Sequence, residues 1–266
     1  MRLSHTSAFV LLLLGSEIYK TPLARSFLSR LDLSAGRPLY DRVMAFWPHY
    51  DQTIKNRKYA VLKLVETLLL EGRLPHQIVI AAAGMDAMGL EIISRHPGTR
   101  VYELDQAFMS EKAQLAPHER MHYITSDLTR HQTCLDALAE MGWQASQPSL
   151  VIYEGISYYI AAQETQSLTA ALAPAYVIID YLKPLSRLND QAAEYGNFIF
   201  DAILGDGQSL EIPRYDTHKL EKTLGLPRHT RLGMLKLEKQ RNRRNLLFPT
   251  EAHGWIEIGL FGPPRQ

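Results

Sequence analysis

The stretch Gln77 to Asp105, QIVIAAAGMDAMGLEIISRHPGTRVYELD, constrains the fold more than any other part of the chain. Ile78, Val79 and Ile80 are apolar and β-branched, as a strand buried on both faces requires. Small residues follow at Ala81-Ala82-Ala83-Gly84, and then Asp86. Ala87, Met88, Leu90, Ile92 and Ile93 give the apolar side of a helix that His96-Pro97-Gly98 stops. A second strand at Val101-Tyr102 runs into Glu103 and Asp105. Strand, small-residue turn, helix, strand and terminal acid make up the first half of a nucleotide-binding α/β domain. The small residues let a ligand approach the backbone, and the terminal acid is placed to accept bonds from ribose hydroxyls. A crossover that binds nothing would share this pattern.

The same alternation continues downstream. Met121 to Ile124, Leu150 to Tyr153 and Tyr176 to Asp180 read as further strands, and Trp255 to Phe261 as a terminal one. Helices are predicted over Gln106–His118, around Leu135–Ala139, and over Ala161–Leu172, Leu188–Leu204 and His218–Leu224. Gly205-Asp206-Gly207 reads as a turn, and the cations of Lys239–Arg244 as a solvated turn. Strands alternating with helices imply an α/β, doubly wound, mostly parallel sheet covered on both faces. Residues 1–72 carry no alternating strand and read as a helical cap with a lead-in helix, Tyr59–Leu70, that has Arg57 near its start. Residues 73–266 then form the core. The ring-rich segment of Phe46, Trp47, His49 and Tyr50 suits either the lining of a small-molecule pocket or a cap packed on the sheet.

Composition excludes several classes. A formal charge of +1 over 266 residues supplies no long-range field, which disfavours nucleic acid as a partner. One cysteine, Cys134, permits no intrachain disulfide. The apolar run Phe9–Leu14 is too short for a spanning helix and lacks a small-residue cleavage site, so the expected location is cytoplasmic, without membrane association. The histidines form no metal-ligating spacing, and no metal is expected.

Ligands of parallel sheets sit beyond the carboxyl ends of the strands. This chain places Gly84 and Asp86, Asp105, Asp127, Glu154 and Asp180 there in succession. Asp105 suits ribose hydroxyls, and Asp127 an adenine amine with Leu128 against the ring. The turn AAAGMD is neither the full dinucleotide fingerprint nor a phosphate loop, and the crowded acids would repel a pyrophosphate. S-adenosyl-L-methionine, which lacks phosphate and carries a sulfonium, fits this field better than NAD or ATP.

Lys55-Asn56-Arg57, QIVIAAAGMDAM, VYELD, SDL at 126–128 and YEGISYYI at 153–160, taken in that order, resemble the leucine carboxyl methyltransferase superfamily. That superfamily belongs to the class I S-adenosylmethionine-dependent methyltransferases and includes bacterial O-methyltransferases placed with polyketide biosynthesis. The resemblance implies a seven-stranded sheet with an N-terminal helical cap. It further implies that Arg57 binds the cofactor's methionine carboxylate, that Gly84 lies beneath the methionine part, and that Asp105 holds the ribose. Asp127 and Leu128 would take the adenine end, and Glu154 would line the pocket; Lys20 could join Arg57. The family's usual G-A-G-L-D-T-R is here Ala82-Ala83-Gly84-Met85-Asp86-Ala87-Met88, without the first glycine, the threonine and the arginine. The expected function is methyl transfer to a carboxylate or hydroxyl oxygen of a small molecule. A protein C-terminus, or a non-catalytic cofactor-binding role, are the alternatives. A carboxylate acceptor needs no base, being ionised at neutral pH. A hydroxyl acceptor would benefit from one, for which His49 or Tyr158 could be placed, so no catalytic residue is assigned.

Overall fold

Period-two alternation divides the side chains of each central strand between two apolar layers, and this fixes the architecture. The computed structural model describes residues 3–204 and 212–263, so the turn expected at 205–207 lies outside the described residues. The chain opens with α1 (His5–Leu14), α2 (Pro22–Leu28), α3 (Arg37–Phe46) and the long α4 (Tyr50–Leu70). Strands and helices then alternate: β1 (Gln77–Ala81), α5 (Met88–Arg95), β2 (Arg100–Asp105), α6 (Met109–Leu115) and β3 (Met121–Thr125). They continue as α7 (His131–Glu140), β4 (Ser149–Tyr153), α8 (Ala162–Leu172) and β5 (Tyr176–Leu182). Next come α9 (Asp190–Leu204), α10 (Thr217–Leu224), β6 (Arg228–Gly233), α11 (Met234–Asn242) and β7 (Ile256–Phe261).

The seven strands form one sheet in the order β3-β2-β1-β4-β5-β7-β6. The first five pair in parallel, while β7 runs antiparallel between β5 and β6. Ile78, Ile80, Ile152 and Ile178 enter one core with α1, α4 and α5, and Val79, Val151, Val177 and Ile179 enter the other with α7, α8 and α10. Strand order reverses at β1 and β4, which opens a crevice at their carboxyl ends. Among the described residues no helix is long and apolar enough to cross a membrane.

Several expected boundaries shift. Pro22 starts α2 at its first turn, where a missing N–H costs nothing. The ring-rich segment is the joint between α3 and α4: Trp47 and Tyr50 are buried, whereas His49 is exposed. Helix α4 begins at Tyr50, well before Tyr59, so Arg57 lies inside it rather than near its start. The helix expected over 106–118 contracts to α6. The cations of 239–244 form a solvated turn only in part, with Arg243 and Arg244 exposed in a bend beyond α11. Lys239 and Arg241 are in the last turn of α11, and Arg241 donates to Asn56 Oδ1 at 2.7 Å and to Gln52. Strand β6, RHTRLG, escaped sequence reading because an edge strand need not alternate.

The turn after β1 carries local strain. Ala82 holds φ of +54° and Gly84 of +48°. Gly84 adopts this freely, but Ala82 brings its Cβ against its own carbonyl region. Ala82→Gly should therefore stabilise the fold by about 1 kcal/mol. Urea denaturation would show a higher midpoint at unchanged slope; a lower midpoint would mean that the Ala82 methyl contributes packing that outweighs the strain.

Candidate functional site

Helix α4 packs against β5 and β7 and turns polar residues toward the segments that follow β1 and β4. Lys55, Asn56, Arg57 and Lys58 are all buried, so each needs a partner supplied by another element. Lys55 reaches Glu17 and Asp51, both at 2.9 Å. Lys58 Nζ lies 2.8 Å from Asp86 Oδ2 and bonds Glu154 more closely still. Arg57 contacts Glu154 through Nε, donates to the Tyr158 hydroxyl at 2.6 Å, and stands 3.7 Å from Asp180 Oδ2.

Each acid is in turn tied to a different part of the fold. Asp86 Oδ1 accepts from the N–H of Met88, the first residue of α5, at 2.7 Å, and from the buried Tyr19 hydroxyl. Asp180 accepts from the Gly155 N–H at 2.8 Å and from Tyr158 at 3.0 Å. Lys112, on α6 and fully buried, donates to the Gly84 carbonyl at 2.9 Å and pairs with Glu103 at 2.6 Å. Glu103 thus faces the helix layer rather than the strand end.

Burial and partners compete over protonation here. Burial pushes the Asp180 carboxyl up to about 6, with Arg57 pulling the other way. Burial likewise pushes Glu103 up to about 6 against Lys112. Burial also opposes ionisation of Asp86, yet Lys58 and Tyr19 hold its carboxyl below the usual carboxylate range. For Lys58, burial disfavours the ammonium, and Asp86 and Glu154 still keep its pKa above the ordinary value.

A cavity of about 440 Å³ opens over this network. Arg57, Lys58, Asp86 and Glu154 form its charged floor beside Gly84. Its walls include Tyr50, Tyr158, Tyr159, Phe200 and Trp255, with Val10 and Leu11 from α1. Tyr50 stacks parallel to Trp255 at 6.2 Å between centroids, and Trp47 and Tyr195 stack at 4.7 Å behind them. Helix α1 is held close by the turn at Gly36, where a Cβ would come 2.3 Å from the Phe9 nitrogen.

Of the six residues expected in the site, Arg57, Gly84 and Glu154 line the cavity together. Asp105 stands behind it, accepting from the Gly84 N–H at 2.8 Å and from the Ala107 N–H at 3.0 Å. Asp127 is farther out and closes its own turn on Thr129, with Gln106 reaching it at 3.2 Å. These bonds hold its carboxyl below the usual range. Leu128 is buried in the second core. Lys20 is exposed and borders a separate cavity of about 450 Å³ on another side of α4, not the one that holds Arg57. His49 does not line the main cavity, while His5 does. Tyr158 lines it with its hydroxyl engaged, and burial drives its pKa well above the ordinary phenol value.

Lys58, Lys112 and Tyr19 escaped sequence reading. The sequence signal for Lys58 is that a cation directly follows Arg57 and directly precedes the apolar run Tyr59-Ala60-Val61-Leu62.

Comparison with known proteins gives a consistent result. The family model described as leucine carboxyl methyltransferase matches residues 16–173. A protein of Parafrankia sp. (strain EAN1pec), named as an S-adenosyl-L-methionine-dependent methyltransferase, is 28% identical over 99 residues. That match spans 35% of this chain and 31% of the relative's length. Two crystal structures share the fold. One, described as a methyltransferase from Thermobifida fusca YX, superposes with a TM-score of 0.69 at 14% identity, covering 99% of this chain and 96% of the other. The second, a protein of the DUF574 family from Streptomyces avermitilis, gives 0.70 at 13% identity and 98% coverage of each chain.

The Asp180 carboxyl supplies a pH test of the floor. Its raised value means that its contribution to stability is complete below the ordinary carboxylate range and is lost as pH rises through about 6. The stability of the parent relative to Asp180→Asn should therefore fall between about pH 4 and pH 6 and level off above. Urea denaturation across that range measures it, and a difference that rises with pH would show that Asp180 ionises more easily in the fold than in the unfolded chain.

Proposed function

Because the chain belongs to the leucine carboxyl methyltransferase family, we propose that it transfers a methyl group from S-adenosyl-L-methionine to an oxygen of an apolar or aromatic small molecule. The observation that carries this reading is one cavity with two chemically different parts. Its floor is a set of buried ion pairs beside Gly84, and its walls are rings and aliphatic side chains.

The residues present fit the cofactor. Arg57 Nε and Glu154 Oε1 are buried and in contact, but neither is aligned in a hydrogen bond. The Arg57 Nε–H can donate to a ligand's carboxylate, and Glu154 Oε1 can accept from its ammonium. Gly84 leaves its Cα face open, with Asp105 Oδ2 at 4.0 Å as the nearest atom to a notional Cβ. In this reading Arg57 takes the carboxylate, Glu154 the ammonium, and Asp105, through its remaining lone pairs, the ribose. Asp127 and Leu128 are assigned to the adenine end. The bound cofactor supplies a methyl group activated by a sulfonium.

The chain's own part is positioning and exclusion of water. An acceptor carboxylate is ionised at neutral pH and requires no base. Tyr158, with its raised pKa, is unsuited to take a proton. A hydroxyl acceptor would depend on His5 at the cavity's edge. The ring-rich walls favour a small acceptor over a protein C-terminus.

Calorimetric titration should show binding of S-adenosylmethionine and S-adenosylhomocysteine and none comparable of NAD or ATP. Arg57→Ala should weaken the first two by roughly 1.5–3 kcal/mol, the range for hydrogen bonds to charged groups. With labelled cofactor in a lysate, label should enter extractable small molecules. Label confined to base-labile esters on protein would replace the small-molecule reading with methylation of a protein carboxylate.

A further inference from the structure

We propose that Lys58 sets the charge balance by which this pocket distinguishes the sulfonium cofactor from its demethylated thioether. The inference rests on the methyltransferase reading above. Five ionisable groups meet at the floor: Arg57 and Lys58 against Asp86, Glu154 and Asp180. Their side chains are at most 15% exposed, so water does little to screen them. Two positive against three negative groups leave this set with an excess of negative charge, and the Asp105 carboxylate behind Gly84 adds to it.

A buried excess charge is costly unless a ligand neutralises it. S-adenosylmethionine brings a carboxylate, an ammonium and a sulfonium, a net charge of one positive. Its demethylated product keeps only the first two and is neutral overall. The negative floor therefore favours the methylated form, which carries one more positive charge than the product.

Lys58 tunes this match where Arg57 cannot. The Arg57 guanidinium is divided among Glu154, Asp180 and Tyr158. The Lys58 ammonium is a single point charge shared by Asp86 and Glu154, the two acids that line the cavity. It occupies the acids that a ligand's positive centres would use, so it offsets most of their pull on any cation. Removing it makes the floor more negative by one charge, which favours the sulfonium form further.

The test is the ratio of dissociation constants, S-adenosylhomocysteine over S-adenosylmethionine, measured by calorimetry. The parent should give a ratio above one. Lys58→Met should raise it severalfold, as the loss of one cationic charge from a poorly screened site requires. Lys58→Arg should leave it near the parent value, and Asp86→Asn should lower it. A ratio that is unmoved or lower in Lys58→Met, with both ligands still bound, overturns the inference and leaves the methyltransferase reading intact. Should Lys58→Met fail to fold, Asp86→Asn decides: a lowered ratio supports the inference and an unchanged one overturns it. A parent that binds neither ligand removes the methyltransferase reading, and this inference with it.

Discussion

Four consecutive polar residues inside one helix, Lys55 to Lys58, are buried, and most of the structure can be understood as what that burial requires. A charged side chain withdrawn from water must be paired and hydrogen-bonded or it destabilises the fold by several kcal/mol. The partners come from separate parts of the chain. The segment after α1 supplies Glu17, the β1 turn Asp86, the end of β4 Glu154, and β5 Asp180. Helix α11 contributes Arg241 to Asn56. The helical cap, the parallel half of the sheet and its antiparallel edge therefore share one electrostatic constraint. Its effect is specificity of arrangement more than net stability, since each pair offsets a desolvation cost of similar size.

The cap is joined to the sheet by a second arrangement of the same kind. Glu91, fully buried on α5, accepts the backbone N–H groups of Lys20 and Thr21 and the Thr21 hydroxyl at 2.7 to 3.1 Å. Tyr19, one residue earlier, reaches Asp86. Residues 19–21 are thus fixed at both the charged floor and the helix layer, and α1, which walls the cavity, is fixed with them.

How legible this was in the sequence depended on whether a residue's environment follows from its neighbours in the chain. Apolar β-branched runs at Ile78–Ile80 and Leu150–Tyr153 require a buried strand wherever they sit, and both are central strands. Gly84 and Glu154 meet in one cavity because strand ends of a parallel sheet converge by topology, and Arg57 joins them from α4. Lys58 and Lys112 could not be read this way. A lone cation in a helix is usually solvated, and what buries these two is tertiary: Asp86 and Glu154 for one, Glu103 and the Gly84 carbonyl for the other. The end of α11 was hard to read for a related reason, since Arg241 is paired by Asn56 and Gln52 of α4, far away in sequence. Asp127 shows the converse. Its position after β3 was legible, but its bonds to Thr129 and Gln106 are local details of one turn.

The stacked rings that wall the cavity have a consequence for assembly. Tyr50 opens α4, whereas Trp255 immediately precedes β7, far away in sequence, and Phe248 and Tyr195 come from two further segments. Contacts of such high sequence separation form only after the loops between them close, so they come late in folding. The β1 turn and Gly84, by contrast, belong to a local strand–helix–strand unit. A partly folded chain can thus possess the backbone cradle of the site without its aromatic wall. The ring-lined cavity is then a property that only the finished fold possesses.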